Sequence, residues 1–352
     1  MTLDRLQFSN LRSLEAGVLE PGPRLTLITG ANGAGKTSIL EAAFLAGRGR
    51  SFRTHQTEKL VRHGEDALQV FAQVGEPAHR IGLEYRRVGG FEGRLDGRNL
   101  KSLAELPGCW FVEVVDPEIH RLLTEGPQER RRWLDWGVFH VEPRFLAAWA
   151  RYSRALKQRN AALKAGTAPD VWDRELVASG EEVASYRAQW FASLQAGLER
   201  GAEHMVSRDF TFSLFQGWSR DSSLSDALSQ SRARDLERGS TSVGPHRADV
   251  VIRMGEGMAR DVCSRGQQKL LALSLVLSAL EHLQRQQDAA RPTLLLDDPA
   301  AELDQKRLSL LVERVCQLQC QLIVTALSDA TKLFGTPDRV FHVEQGRLSA
   351  VL

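Results

Sequence analysis

The sequence predicts an α/β fold: a largely parallel sheet with flanking helices, split in sequence by an inserted helical lobe. Three observations carry that expectation. The buried-type strand RLTLITG (24–30) runs into a glycine-rich turn and then into a helix over Ile39–Ala46. A second apolar run, TLLL at 293–296, has the unbroken hydrophobicity of a strand covered on both faces, and it ends in two aspartates. Between the two, from about residue 120, strand-like alternation gives way to long stretches of helical period. Strands joined through covering helices run parallel, so the two α/β segments must meet in one doubly wound sheet.

Taken in order, residues 1–108 form the first half of this domain. Leu68–Val74 and Ile81–Arg87 alternate apolar and polar residues as half-exposed strands do, and VGGFEG and LDGRN supply turns. Residues 109–238 form the lobe. Helical periodicity covers Arg130–Phe139, Arg144–Lys164 and Val171–His204, and GTAPD (166–170) suits the tip of a short, coiled-coil-like hairpin. SDALSQSRARDLERGSTSVGPHR reads as a polar return. Residues 239–352 complete the domain, with ADVVIRM, PTLLLDD, QLIVTA and RVFHVEQGRLSAVL as strands and GQQKLLALSLVLSALEHLQRQ and KRLSLLVERVCQL as helices.

Apolar residues make up 42% of the 352 and charged residues 26%, which is the composition of a folded chain with room for more than one domain. A formal charge of only +2 excludes a uniformly basic surface, so any polyanion site is local. Cys109, Cys263, Cys316 and Cys320 form no CxxC pair and read as reduced thiols of a cytoplasmic protein. The N-terminus is charged and lacks an apolar signal core. The most apolar helix, around Leu270–Leu280, falls short of the ~20 residues a membrane span needs. No membrane partner is expected.

GANGAGKT (30–37) fits G-x-x-x-x-G-K-[ST] at every position, after a strand and before a helix. Gly30, Gly33 and Gly35 let the backbone curl so that the N–H groups of Ala31, Asn32, Ala34 and their neighbours point at a phosphate. The helix N-terminus adds a favourable dipole, Lys36 a cation, and Thr37 a hydroxyl for Mg²⁺. Asp297 and Asp298 leave the carboxyl end of the second buried strand. Asp297 suits the Mg²⁺ shell, and Asp298 suits polarising the water that attacks ATP.

CSRGQQKLLAL (263–273) poses a separate question, since Ser264, Gly266 and Gln267 open a helix with groups that suit a phosphate. Ser264 is also a good helix cap, and capping alone would account for it. An S-x-G-Q stretch a few tens of residues before the metal strand belongs to ATPases of the ABC class, where it faces the ATP of a second subunit. Two such heads arranged head-to-tail close as a symmetric dimer. The fold class expected is therefore a P-loop, ABC-class ATPase head with an inserted helical lobe.

Nearly the whole chain resembles the RecF family of DNA recombination-repair proteins, relatives of the SMC proteins. FSNLRSLE lies before the P-loop, GPQERRRWLDWGVFHVEP and LKQRNAALK mark the insertion, and TSVGPHRADV, SRGQQK and LLLDDPAAELD follow in the family's order. The resemblance implies ATP and Mg²⁺ as cofactors, ATP-dependent homodimerisation, slow hydrolysis and DNA binding. It also implies work with RecO and RecR in loading RecA on gapped DNA during repair and replication-fork maintenance.

The lobe is electrically lopsided. Basic residues outnumber acidic ones ten to four over 121–164 and are outnumbered eight to twelve over 165–238. Arg151, Arg154, Lys157 and Lys164 share an arc of about 140° on their helix. Such a stripe is either a track for a phosphate backbone or a solvated helix face. Arg130–Arg131–Arg132 reads the same two ways, with Glu125 and Glu129 offering intrahelical pairing. His246 and Arg247 sit at a turn set by Gly244–Pro245 and are either structural or phosphate-facing. Trp133 and Trp136 read as core. Two rivals stand against a DNA-binding ATP switch. A transporter's nucleotide-binding subunit normally has only a short helical subdomain between P-loop and signature, and a small-molecule kinase would leave SRGQQK without a role.

Overall fold

A computed structural model describes residues 2–286, 291–327 and 331–351. In chain order the strands and helices begin with β1 (Leu3–Leu11), β2 (Leu14–Leu19), β3 (Leu25–Thr29), α1 (Lys36–Arg48), β4 (Ala67–Val74), β5 (His79–Arg86), β6 (Gly90–Leu95), β7 (Arg98–Asn99) and β8 (Val112–Val115). There follow α2 (Arg121–Thr124), α3 (Pro127–Val141), α4 (Phe145–Lys164), α5 (Asp173–Val206), β9 (Thr211–Phe215), α6 (Leu224–Arg238), β10 (Asp249–Met254), β11 (Gly257–Met258), α7 (Ala259–Val262) and α8 (Arg265–Gln286). The chain closes with β12 (Thr293–Asp297), α9 (Pro299–Glu302), α10 (Gln305–Gln317), β13 (Gln321–Ala326), α11 (Thr331–Phe334), β14 (Arg339–Glu344) and β15 (Arg347–Ala350). It divides into two compact units, one of residues up to 119 together with those from 284 on, the other of residues 120–283.

The first unit holds two sheets. Its central sheet has the order β15-β14-β3-β13-β12-β8, parallel throughout except for the β14–β15 hairpin. β12 and β13 are buried along their whole length, as their continuous apolar runs require. The second sheet, β2-β1-β4-β5-β6-β7, is antiparallel, and Leu68, Val70, Ala72 and Val74 of β4 are its buried face. α1 packs on strands of both sheets, which explains why residues 38–47 are buried on every side. Ala42, Ala43 and Ala46 keep that helix narrow enough to fit.

A single amide stitches the two sheets. Gln321 of β13 is 1% exposed; its Oε1 accepts from Leu3 N at 2.8 Å and from Thr293 Oγ1 at 2.9 Å, while Nε2 donates to Leu3 O at 2.9 Å and Gly22 O at 2.8 Å. A buried amide is tolerable here because its bonds are made, and orphaning one such group costs about 1–3 kcal/mol.

In the second unit α4 and α5 form the expected hairpin, and β9-β10-β11 is a small antiparallel sheet beside α3. Trp133 and Trp136 are buried, 7% and 3% exposed, as a core role demands. The division of the chain differs from the expected boundaries at 108/109 and 238/239. Residues 109–119 supply β8, which pairs in parallel with β12 in the central sheet. Residues 239–283 belong to the second unit because β10 pairs with β9 and Arg130 of α3 binds Asp249. The polar return contains a helix, α6. Ser223 caps it by accepting from Asp226 N at 3.1 Å, Leu224, Ala227, Leu228, Ser231 and Asp235 face inward, and Gly239 ends it in a left-handed turn.

Candidate functional site

The glycine-rich loop leaves β3 at Thr29 and enters α1 at Lys36. Gly30 has φ +150°, and a Cβ there would lie 2.3 Å from Val343 O on the neighbouring strand; Gly35, at φ +115°, would meet Leu14. Only glycine lets the loop lie this close to β14. Ala31, Asn32 and Gly33 form an exposed rim, Ala34 and Gly35 are half-buried, and Lys36 is 7% exposed. Lys36 Nζ donates to Gly30 O at 2.7 Å and Ala31 O at 3.1 Å, so the cation is held under the arch of its own loop.

Three parallel strands bring the second half of the site to this loop. β13 lies between β3 and β12, with Ala326 opposite Thr29 and Thr325 opposite Asp297. Thr37 Oγ1 donates to both Asp297 carboxylate oxygens at 2.9 Å, and Thr325 Oγ1 donates to Oδ1 at 2.8 Å. Thr325 Oγ1 also accepts from Asp298 N at 2.9 Å. Asp298 is half-buried and left-handed, φ +44°, and starts α9 without capping it through its side chain. A hydroxyl and a carboxylate meeting at a P-loop are the hard oxygen donors that Mg²⁺ takes from protein, the remainder coming from phosphate and water.

Ser264, Gly266 and Gln267 lie in the second unit. Ser264 Oγ accepts from Gln267 N at 3.4 Å, while Gln267 Oε1 accepts from Ser264 N at 2.9 Å, a reciprocal capping box at the start of α8. Gln268 is buried and donates to Arg260 O at 2.9 Å. Ser264 is nonetheless exposed, with Gly266 and Gln267 half-exposed beside it.

On α4, Arg151, Arg154, Lys157 and Lys164 are exposed and Tyr152, Ala155, Arg159 and Leu163 are buried, so the basic stripe is a true outer face. Arg151 reaches Glu182 Oε2 at 2.6 Å on the other arm of the hairpin. The triple arginine of α3 separates into individual roles. Arg130 is 4% exposed and binds Asp249 and the carbonyls of Leu122, Leu123 and Glu125, Arg131 donates to Ala248 O at 2.7 Å, and Arg132 pairs with Glu129. Intrahelical pairing accounts for Arg132 alone. His246 Nε2 donates to Thr241 O at 3.0 Å, so Nδ1 accepts the Tyr152 hydroxyl at 2.6 Å. Burial lowers the His246 pKa to about 4 and raises that of Tyr152. Burial likewise pushes the Cys109 thiol up to about 11 and Cys320 up to about 12, so neither is a thiolate at neutral pH.

The family model for the RecF/RecN/SMC N terminal domain matches residues 2–349. The DNA replication and repair protein RecF of Pseudomonas entomophila (strain L48) is 39% identical, over 99% of this chain and 98% of the relative. The chain belongs to the RecF family. RecF of Pseudomonas putida (strain W619) is 38% identical over the same shares. The recombination mediator protein RecF, solved as RecF-ATP in the RecFOR pathway, superposes with a TM-score of 0.89 at 26% identity, covering 100% of this chain and 98% of that one. An SMC head bound to the C-winged helix domain of ScpA shares the fold, with a TM-score of 0.59 at 16% identity over 100% of this chain and 97% of the other. The RecF fold is thus that of an ATPase head, and recombinational DNA repair is the function of this chain. A transporter subunit is not favoured, because the RecF match continues through the whole helical insertion. No helix among the described residues is long and apolar enough to cross a membrane.

The RecF-family motifs left two parts of the site unread. Thr325, which ties Asp297 to the backbone of Asp298, is hidden in the apolar run QLIVTA; its only signal is a hydroxyl at the carboxyl end of a buried parallel strand. Arg12, in FSNLRSLE, grips the fully buried Glu41 of α1 through two bonds of 2.8 Å, and Ser51 donates to the same carboxylate. Glu41 lies one turn beyond Thr37, so the pair braces the start of α1 beneath the loop.

Proposed function

We propose that this chain is an ATP-gated DNA-binding protein that dimerises in the ATP state, with slow hydrolysis serving as the release switch. The observation that carries the reading is the meeting of Lys36, Thr37 and Asp297 at the carboxyl edge of three parallel strands. The loop's N–H groups and Lys36 bind the phosphates of ATP, and Thr37 and Asp297 hold Mg²⁺. The metal ion, when bound, neutralises charge on the phosphate oxygens. Asp298 accepts a proton from the attacking water. Ser264, Gly266 and Gln267 face the nucleotide of a partner chain, for which their exposure at the mouth of α8 leaves them available.

DNA is held by phosphate contacts on the helical lobe, with Arg154, Lys157 and Lys164 as exposed cations of α4 and Arg151 sharing its charge with Glu182. The family's place in the RecFOR pathway supports RecO and RecR as partners and loading of RecA on gapped DNA as the outcome. The test is DNA binding and molecular mass of the pure protein with ATP, ADP or no nucleotide. Tight binding by a species of doubled mass with ATP alone is the expected result. Equal binding under all three conditions would remove the gate.

A further inference from the structure

Apart from Arg234, which donates to Ser242 Oγ at 3.2 and 2.9 Å, the arginines around the segment 241–248 of the second unit are of two kinds. Arg130 grips Asp249 at 2.7 and 3.1 Å, Arg187 grips Asp135 at 2.7 and 2.9 Å, and Arg159 ends on Asp173 and Asp235. All three are buried, and each charge is cancelled where it lies. Arg131 and Arg247 differ. Arg131 Nη1 donates to Ala248 O at 2.7 Å, and Arg247 Nη2 donates to Thr241 O at 3.2 Å. A carbonyl orients a guanidinium without neutralising it. Among the described residues no carboxylate lies within ion-pair distance of either, and the rest of each fork's N–H donors make no bond.

These two charges are close enough to act on each other and on their surroundings. Burial, then the Arg187 charge, lowers the Arg131 pKa; Asp249 and Asp135 oppose the shift and Arg247 adds to it. His246, beside them, is kept neutral by burial and by the charges of Arg247 and Arg131, and its two ring nitrogens are already committed to Thr241 and Tyr152. It can neither cancel the pair nor compete for a ligand. A bound anion relieves the repulsion between the two cations, and a guanidinium fork fits phosphate oxygens two at a time.

We infer that Arg131 and Arg247 form a clamp for a backbone phosphate of DNA. This rests on the reading that the chain binds DNA, and it assigns a site distinct from the α4 stripe. The phosphates of ATP share the chemistry, but the loop at 30–37 already provides them with a cation and a helix N-terminus. The clamp is a site for position, not sequence, since it offers only charge and fixed donors.

The test replaces both residues in the full chain, as Arg131→Gln with Arg247→Gln. Glutamine can still donate to the two carbonyls, so the charge is removed with the least change to the fold. Binding of a labelled duplex with ATP is then titrated across salt concentrations. Losing the one phosphate contact that the pair makes should lower the log–log salt slope by about 0.9, with at least a tenfold loss of affinity at moderate salt. ATP affinity and the thermal midpoint should match the parent protein, and the Lys pair should restore the slope in part. If the double variant does not fold, Arg247→Gln, at an exposed residue with one hydrogen bond, should still lower both the slope and the affinity for DNA, by less than the pair. An unchanged slope overturns the clamp, as does a fall in ATP affinity without a fall in DNA affinity. If the α4 variants lower the slope and these do not, DNA binding stands and the clamp falls. Absence of DNA binding by the parent protein removes both.

Discussion

The Thr37 hydroxyl donates to both carboxylate oxygens of Asp297 at 2.9 Å, joining residues 260 positions apart in sequence. The pairing joins the glycine-rich loop to the strand that ends in Asp297, and it requires the long insertion between them to leave and rejoin the same sheet. It also fixes what each site substitution should do.

Lys36→Arg should abolish turnover without unfolding the protein. The ammonium sits between two carbonyls 2.7 and 3.1 Å away under a glycine arch, where a planar fork cannot take its place. ATPase activity should fall at least about a hundredfold while the thermal midpoint moves little. Turnover at the parent rate would contradict the assignment of the loop.

Asp297 and Asp298 should separate. Asp297→Asn weakens the acceptor of Thr37 and Thr325, so Mg²⁺ and nucleotide affinity should fall together. Asp298→Asn keeps the shape and removes the base, so ATP should stay bound, the dimer should persist, and hydrolysis should be lost. Normal single-turnover hydrolysis by the Asp298→Asn variant would assign the water to another residue.

Ser264→Arg should leave nucleotide binding by the monomer intact and block ATP-dependent dimerisation. Mixed with Lys36→Arg, each inactive alone, it should recover up to about a quarter of the parent ATPase, because a mixed dimer holds one intact composite site. Full activity of Ser264→Arg by itself would leave the Ser264–Gln267 pair as a helix cap and nothing more.

Changing Arg154 and Lys157 to alanine should reduce the salt slope of DNA binding by about one unit each, similarly for all sequences. Adding Arg151→Ala should reduce it less, since Glu182 already shares that charge. A slope equal to that of the parent protein would make this face an ordinary solvated one.

Stability should fall on acidification through His246. Its folded pKa is about 4 against 6.5 unfolded, so from pH 6.5 downward the unfolded chain takes up a proton that the folded chain refuses. The contribution is complete above pH 6.5 and is lost toward pH 4, on the order of 3 kcal/mol at the limit. His246→Gln should flatten the unfolding free energy over that range. The same pH dependence in the variant would place the titration elsewhere.

Local chemistry was legible in the sequence by itself: the P-loop, the buried strand ending in Asp297–Asp298, the capped helix at Ser264 and the α4–α5 hairpin. Each is set by neighbours within a few residues, through glycine conformations, helix caps and hydrophobic period. The tertiary structure alone decided which polar side chains were consumed in holding the fold. Arg130, Arg131 and Arg132 are consecutive and chemically alike, yet the first is buried on Asp249, the second hangs from the Ala248 carbonyl, and the third pairs with Glu129. Thr325 joined the Thr37–Asp297 pair, and residues 239–283 joined the helical unit, for the same reason. A charge or hydroxyl takes its role from the partner that reaches it, and, Arg132 aside, the deciding partners here are distant in sequence.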